Sequence, residues 1–212
     1  MIEKFCSYIV KKMRNNMEDI DDRRAEVIQY GLELIIGEIP KVILLFAIAF
    51  ILKIGWLTMF AYIAILPYRA CSGGFHLKTH IGCIINTSLF YYGVVLASKY
   101  IILQPIYKYI LLSLVLIFGI IMITLYAPAD TENLPIISIK ERKRKKILSY
   151  VFLVLMLISS LFINNNSISN ILIFGALVQT LFITRLVYKI TNNKYGHEVY
   201  RAEEQIISGF LK

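Results

Sequence analysis

The sequence predicts an all-α, polytopic integral membrane protein with about six transmembrane helices and an N-terminal amphipathic helix at the membrane interface. Hydrophobic residues make up 58% of the 212 residues and charged residues only 17%, whereas a soluble domain has about 45–50% and about 25%. The mean hydropathy is +0.65. This composition excludes an ordinary soluble domain, a disordered chain, a collagen and a disulfide-stapled scaffold.

The apolar residues are collected into segments that carry few charges. A helix needs about 20 mostly apolar residues to cross the hydrocarbon core of a bilayer, so several of these segments are long enough to span it. The last four segments predict two antiparallel pairs, which turn at Gln104-Pro105 and at an uncharged asparagine-rich connection, 164–167. In chain order the segments are residues 42–52, 54–66, 84–103, 106–126, 147–163 and 168–188.

The distribution of lysine and arginine predicts the orientation in the membrane. Residues 1–26 hold six Lys or Arg, the connection 127–146 holds another six, and more follow residue 188. Basic connections stay on the cytoplasmic side of a membrane. We therefore expect both termini, the 127–146 connection and the 67–82 loop in the cytoplasm, with 164–167 outside.

This orientation also decides how the first apolar region is divided. One span across 42–66 would place the basic 127–146 connection outside, whereas two crossings between residues 28 and 66 keep every basic segment inside. We therefore predict a short helical hairpin that turns near Lys53-Ile54-Gly55. Its second limb, 56–66, is short enough to be tilted or re-entrant.

The N-terminal segment, residues 1–26, is amphipathic. Its apolar residues recur every three or four positions between charged and polar ones, which predicts a helix for the membrane surface or a partner helix, or one packed on the cytoplasmic face of this chain. We predict a single membrane domain over 1–212, with the transmembrane helices in 28–188 and a cytoplasmic tail in 189–212. The recurring apolar residues are Ile2, Phe5, Ile9, Met13, Met17 and Ile20.

The formal net charge of +9 would suggest nucleic-acid binding in a soluble chain. Here the basic residues lie in connections between apolar segments, where they orient the protein, so we expect no nucleic-acid partner. The three cysteines, Cys6, Cys71 and Cys83, form no regular framework and are predicted to be free thiols on a reducing face.

The predicted loop 67–83 contains two of the three histidines and two of the three cysteines. A nucleophilic cysteine needs a thiolate, a base and a group that stabilises the oxyanion. Cys83 stands at a predicted helix start, where the helix dipole favours a thiolate, and His76 precedes it by seven residues. Gly73-Gly74 allows a sharp turn in which backbone N–H groups can approach a substrate carbonyl. Together with Arg69, these residues indicate a candidate site for cysteine chemistry.

Other interpretations of the same residues stay open at this point. A cysteine at a helix start is often structural, and a loop histidine is often merely solvated. His76, His80 and Cys83 would also present three metal ligands on one face if a single helix contained them. No fourth ligand is nearby and Gly73, Gly74 and Gly82 oppose a long regular helix, so we expect no metal.

The order of these residues resembles the signature of the accessory gene regulator B (AgrB) family. It reads Arg69-x4-Gly74-x-His76-x6-Cys83, followed by Ser88 in the next apolar segment. The later run from Ala127 to Ile136, APADTENLPI, is similar to a second segment of that family. The resemblance extends over nearly the whole chain, including its size, the order of the spans and the amphipathic N-terminus.

The resemblance implies a cysteine endopeptidase of bacterial quorum sensing, embedded in the cell membrane. Its substrate would be an AgrD-like propeptide with an amphipathic leader and an acidic tail, cleaved through an acyl-thioester on Cys83 and cyclised to a thiolactone or lactone. By position Cys83 is the nucleophile and His76 the base, with Arg69, Gly73 and Gly74 supporting the site. The resemblance also implies a homodimer and no cofactor, and it makes Cys71 and His80 bystanders. No residue that orients His76 can be assigned; Asp130, Glu132 and Asn86 are candidates.

The basic run after the APADTENLPI segment has two interpretations. It anchors the topology of the chain, and it is also a candidate contact for an acidic substrate tail. Its members are Lys140, Arg142, Lys143, Arg144, Lys145 and Lys146.

Three other functions remain as alternatives. Polar residues inside the predicted spans, such as Glu33, Glu38, Gln179 and Arg185, would suit a transporter or peptide exporter without protease chemistry. A metal-dependent membrane enzyme would need the histidines and cysteines as ligands. A scaffold that binds an amphipathic peptide would need neither His76 nor Cys83.

Overall fold

A computed structural model describes residues 2–16, 22–77, 79–132 and 135–201 of the chain. Parts of three predicted features lie outside the described residues: 17–21 of the N-terminal amphipathic segment, 133–134 of the APADTENLPI segment, and 202–212 of the tail. The side chains of Glu33 and His80 also lie outside the description.

The regular structure of the described residues is helical, which confirms the predicted all-α fold. Extended pairing in these residues occurs at isolated bridge positions, one of which joins Gly73 and Ala129. The helices are α1 (Ile2–Asn16), α2 (Asp22–Ile51), α3 (Gly55–Ser72), α4 (His80–Tyr100), α5 (Pro105–Tyr126), α6 (Ile139–Phe162), α7 (Asn166–Phe182) and α8 (Arg185–Ile190). Residues 196–201 are helical as well.

Local sequence signals explain where four of these helices begin. Side-chain oxygens of Thr79, Ser138 and Asn165 accept hydrogen bonds from backbone N–H groups in the first turns of α4, α6 and α7. α5 begins at Pro105, whose fixed φ suits the first position of a helix. The predicted interruption of the helices near residues 53–55 is confirmed, because α2 ends at Ile51 and α3 begins at Gly55.

Three helices of the described part are long and apolar enough to cross a membrane: Ile81–Tyr100 within α4, Pro105–Tyr126 (α5) and Ile139–Phe162 (α6). α7 is apolar but has only 17 residues. The chain is therefore a helical membrane protein, and the remaining crossings of the predicted six stay predictions.

Three predicted boundaries are wrong. The 67–83 loop is shorter than predicted, because α3 runs through Pro67 to Ser72. The basic run is not in a loop, since α6 begins at Ile139. The last segment, 168–188, is not one helix: α7 ends at Phe182, and α8 begins at Arg185 after a break at Ile183-Thr184.

The chain divides into two compact units, residues 1–53 and 54–212. In the first unit α1 packs against α2. On α1, Cys6 and Val10 are buried, whereas Phe5 and Tyr8 are exposed. An amphipathic helix with exposed aromatic side chains agrees with the predicted interfacial character of this segment.

In the second unit α7 is the central helix, and α3, α4, α5 and α6 all pack against it. Nine of its residues are buried, from Ser169 to Thr180. A Cβ at Gly175 would lie 2.6 Å from Cδ1 of Ile65, so glycine lets α3 approach α7 closely. This packing brings the C-terminal end of α3, which carries the candidate site, against the C-terminal half of α7.

Candidate active site

The candidate site lies where α3 ends and a short connection leads to α4. Arg69 is in the last turn of α3, and His76 lies in the non-helical segment between Ser72 and His80. Cys83 lies in the first turn of α4, where its N–H donates to the carbonyl of Thr79 at 3.0 Å. The prediction that Cys83 stands at a helix start is therefore confirmed.

The Gly73-Gly74 pair connects this segment to the later segment around Ala129. The N–H of Gly74 donates to the carbonyl of Ala129 at 2.9 Å, and the N–H of Ala129 donates to the carbonyl of Ser72 at 2.8 Å. Both glycines have positive φ, 78° and 145°. A Cβ on Gly73 would lie 2.2 Å from the carbonyl oxygen of Ala129, so only glycine fits there.

This pairing corrects the predicted oxyanion role of the glycines. The N–H of Gly74 is bonded to Ala129, and that of Gly73 donates to the carbonyl of Arg69 at 2.9 Å. The N–H of Cys83 is engaged inside α4. Neither glycine N–H is thus free to donate to a substrate carbonyl in this structure, and the glycines instead hold two segments together.

A cavity of about 490 Å³ opens between these two segments and the first turns of α6. It brings together the predicted residues Arg69, Gly73, Gly74, His76 and Lys145. Among the described residues, Cys83 does not line it, whereas Cys71 does. The lining residues are Leu66, Arg69, Ala70, Cys71, Gly73, Gly74, His76, Pro128, Ala129, Asp130, Thr131, Pro135, Ile136, Glu141 and Lys145.

Cys71 therefore becomes a second thiol to consider. It lies near the end of α3, five residues beyond the predicted 54–66 crossing, and it is partly exposed. Burial raises the pKa of the Cys71 thiol, although the positive charges of Lys145 and Arg144 oppose that shift. A raised pKa lowers the thiolate fraction of Cys71 at neutral pH, which works against Cys71 as the nucleophile.

Arg69 is held by α7 and by aromatic rings. Its guanidinium donates to Oε1 of Gln179 at 3.2 Å, and it lies over the rings of Phe90 and Phe182 at 6.0 and 5.7 Å. The amide nitrogen of Gln179 donates in turn to Oγ of Ser72 at 2.9 Å and to the carbonyl of Gly73 at 2.8 Å. Gln179 therefore positions both Arg69 and the glycine turn.

Sequence reasoning noticed Gln179 only as a polar residue inside a span that would suit a transporter. The available signal was that a polar side chain in an apolar helix usually needs a polar partner. The partner itself lies about 110 residues away in the chain, so its identity could not be read from local pattern.

Asp130 is the second polar centre beside the cavity. Its fully buried carboxylate accepts hydrogen bonds from the backbone N–H groups of Ile136 and His197, from Nη1 of Arg142 at 3.1 Å, and lies 2.7 Å from Nδ1 of His197. The hydroxyl of Tyr188 donates to the carbonyls of Ala129 and Asp130. These contacts fix the segment that pairs with Gly73.

Asp130 was a candidate for orienting His76, and its contacts with Ile136, Arg142 and His197 make it an anchor for the 128–131 segment. His197, the third histidine, was not predicted to contribute. Since it follows Asp130 by 67 residues, no local spacing indicated the pair.

The basic run is distributed over the surface of α6 rather than gathered in one loop. Arg142 is turned toward Asp130 and the carbonyl of Pro128, and Lys145 pairs with Glu141 at 3.1 Å beside the cavity. Lys140, Lys143 and Arg144 are exposed. Lys146 donates to the carbonyl of Thr124 at 2.6 Å.

The metal interpretation loses its geometric basis. It required one helix to contain His76, His80 and Cys83, but α4 begins at His80 and leaves His76 outside. Among the residues that the structure describes, no group of three His, Cys, Asp or Glu side chains is arranged to hold a metal ion.

The fold and the site together define a helical membrane protein with a histidine in a short connection and a cysteine in the first turn of the helix that follows. A family model described as "Accessory gene regulator B" matches residues 2–183. The chain therefore belongs to the AgrB family, whose members take part in agr quorum sensing.

Curated relatives agree with this assignment. The chain is 28% identical over 187 residues to an "Accessory gene regulator protein B" of Staphylococcus aureus (strain JH9). The aligned residues cover 88% of this chain and 94% of the relative. The chain is 27% identical over 195 residues to the protein of the same name from Staphylococcus epidermidis, covering 92% and 95%. No solved structure matches the chain.

Proposed function

We propose that this protein is a membrane-embedded cysteine endopeptidase that removes the C-terminal tail of an AgrD-like propeptide and promotes cyclisation of the remaining peptide. The observation that carries the proposal is the match to the AgrB family over residues 2–183, which includes the whole Arg69–Cys83 motif. The placement of His76 at a cavity and of Cys83 in a helix first turn supports the same chemistry.

In the first step His76 accepts the proton of the Cys83 thiol, and the thiolate attacks the carbonyl carbon of the peptide bond before the tail. The C–N bond breaks, the tail leaves as an amine that takes the proton from His76, and an acyl-thioester remains on Cys83.

In the second step an internal cysteine or serine of the bound peptide attacks the thioester. The new thiolactone or lactone bond forms as the bond to Cys83 breaks, and the Cys83 thiol is regenerated. Exchange between two thioesters is nearly balanced in energy, so exclusion of water and positioning of the peptide decide between cyclisation and hydrolysis.

The neighbouring residues have supporting roles in this scheme. Arg69, tied to Gln179 and Phe182, keeps the end of α3 in place. Gly73 and Gly74 hold the connection that carries His76 against Ala129. Lys145 lies at the cavity and is the member of the basic run best placed to meet an acidic residue of the departing tail. The other basic residues, Lys140, Arg142, Lys143, Arg144 and Lys146, would act on the tail at longer range.

The rest of the proposal follows the charge pattern and the family. Both termini and the connection with His76 face the cytoplasm of a bacterial cell membrane, and the protein acts as a homodimer. The propeptide reaches the site along the membrane surface.

The test is co-expression of the chain with an AgrD-like propeptide, read by mass spectrometry of the cleaved tail and the cyclic product. The variants are Cys83→Ala, His76→Ala and Cys71→Ala, and Cys71→Ala is the matched control because it removes the other thiol of the predicted 67–83 loop. We expect cleavage to fall by at least about 10³-fold in Cys83→Ala and about 10²–10⁴-fold in His76→Ala. Cys71→Ala should retain cleavage.

Two outcomes contradict the proposal in different ways. Loss of cleavage in Cys71→Ala with retention in Cys83→Ala would move the nucleophile to the thiol that lines the cavity. Retention of cleavage in Cys83→Ala, in Cys71→Ala and in the variant that carries both changes would exclude both thiols as the nucleophile.

A further inference from the structure

A second cavity, of about 390 Å³, lies at the shared end of α5 and α6, and His76 does not line it. Its walls come from the last residues of α5, the first turns of α6, the start of α8 and the segment 195–201. Five lysine or arginine residues line it, which is its most distinctive feature. They are Arg142, Lys143, Lys146, Arg185 and Arg201.

Acidic groups balance only part of this charge. Arg185 pairs with Glu198, and Arg142 pairs with the buried Asp130. In the part of the chain that the structure describes, Lys143 and Arg201 form no ion pair. The cavity therefore keeps an uncompensated positive charge that favours an anionic ligand.

The surroundings of the cavity show what kind of anion it suits. α5 and α6 are two of the helices long and apolar enough to cross a membrane, so their shared end lies at a membrane surface. Leu125 and Ile139, which line the cavity, are 61% and 64% exposed. A charged cavity that opens beside exposed aliphatic side chains can hold a lipid headgroup while the acyl chains lie along the helices.

We propose that this cavity binds the headgroup of an anionic phospholipid, with the phosphodiester held by Lys143, Lys146 and Arg201. The exposed aliphatic residues favour a lipid over a water-soluble acidic peptide, because a peptide would gain nothing from the apolar rim. Pro128 borders both cavities, but Lys143, Lys146 and Arg201 do not line the cavity of His76, and the proposal does not rest on the proposed peptidase activity.

The test measures lipid retention by the purified full-length chain with native mass spectrometry, using phosphatidylglycerol and phosphatidylcholine. Both lipids carry a phosphodiester, but only phosphatidylglycerol has a net negative charge. The test variant is Lys143→Gln/Arg201→Gln. Lys140→Gln/Arg144→Gln is the matched control, since it removes two exposed charges of α6 that do not line the cavity.

We expect the wild-type chain to retain phosphatidylglycerol in preference to phosphatidylcholine. The apparent affinity for phosphatidylglycerol should fall at least about tenfold in Lys143→Gln/Arg201→Gln, and change less than about twofold in the control. The single variants Lys143→Gln and Arg201→Gln should each show an intermediate loss.

Three results would overturn the proposal. The first is equal retention of the two lipids by the wild-type chain, and the second is an equal loss in both double variants, which would indicate general surface attraction. The third uses a soluble hexaglutamate peptide as the probe: binding that depends on Lys143 and Arg201, without any preference for phosphatidylglycerol, would identify an acidic peptide site instead.

Discussion

At the scale of single residues, Gly73 is the position where backbone conformation and close packing coincide. Its φ of 78° and ψ of −152° lie in a region used almost only by glycine. Its missing Cβ leaves room for the carbonyl of Ala129. Because the same residue begins the connection that carries His76, its conformation determines where the proposed base lies.

We predict that Gly73→Ala destabilises the protein by at least about 1–3 kcal/mol, because the strained backbone and the 2.2 Å approach to the Ala129 oxygen act together. The thermal unfolding temperature in detergent should fall, and propeptide cleavage should fall with it. Gly93→Ala is the control, because Gly93 lies within α4 and a Cβ there would meet no atom within 4 Å. An unchanged unfolding temperature in Gly73→Ala would contradict the close packing described here.

At the scale of helices, α7 joins the parts of the site. Gln179 holds Arg69 and the glycine turn, while the hydroxyls of Thr180 and Tyr68 lie 2.8 Å apart. Phe182 of the same helix packs against Phe75 and under Arg69. The apolar residues of α7 pack against the neighbouring helices, and the polar residues of α7 hold α3 in position.

We predict that Gln179→Leu costs about 1–3 kcal/mol for each buried group left unpaired, since Ser72, the Gly73 carbonyl and Arg69 all lose a partner. A lower thermal unfolding temperature and reduced cleavage should appear together. Gln104→Leu serves as the control, because Gln104 is exposed and makes no side-chain cap. A Gln179→Leu variant as stable and active as wild type would show that this network is dispensable.

These helices also show which features the sequence could predict. Periodicity, caps and apolar length are local, so the helical class, the turn at 53–55 and the helix start before Cys83 followed from neighbouring residues. The Gly73-Gly74 turn was equally local. The pairing of this turn with Ala129 could not be predicted, because Ala129 is distant in sequence. That pairing occupies the N–H of Gly74.

Contacts over long separations account for most of what could not be predicted. The pairs Arg69–Gln179 and Asp130–His197 are about 110 and 67 residues apart. The extension of α3 through Pro67 was missed for another reason. A proline tends to end a helix, yet packing of Tyr68 and Ser72 against α7 continues it.

At the scale of the whole molecule, apolar and basic residues occupy different segments of the chain. The long apolar stretches of α4, α5 and α6 suit a bilayer. Basic residues in the first turns of α6 line both the cavity of His76 and the cavity of Lys143. If the positive charges stay inside the cell, the proposed catalysis and the proposed lipid contact both occur at the cytoplasmic surface.

We predict that the 164–167 connection faces the outside and that the segment after α8 faces the cytoplasm. Single cysteines at Asn164 and Lys194, both exposed, can report this in a chain without Cys6, Cys71 and Cys83. A membrane-impermeant maleimide should label Asn164→Cys in intact cells and Lys194→Cys only after permeabilisation, because translocating the basic segments is unfavourable. Permeabilised cells, in which both positions must react, provide the control for exposure. Labelling of Lys194→Cys in intact cells would reverse the orientation and place His76 on the outer surface, where a cytoplasmic propeptide could not reach it.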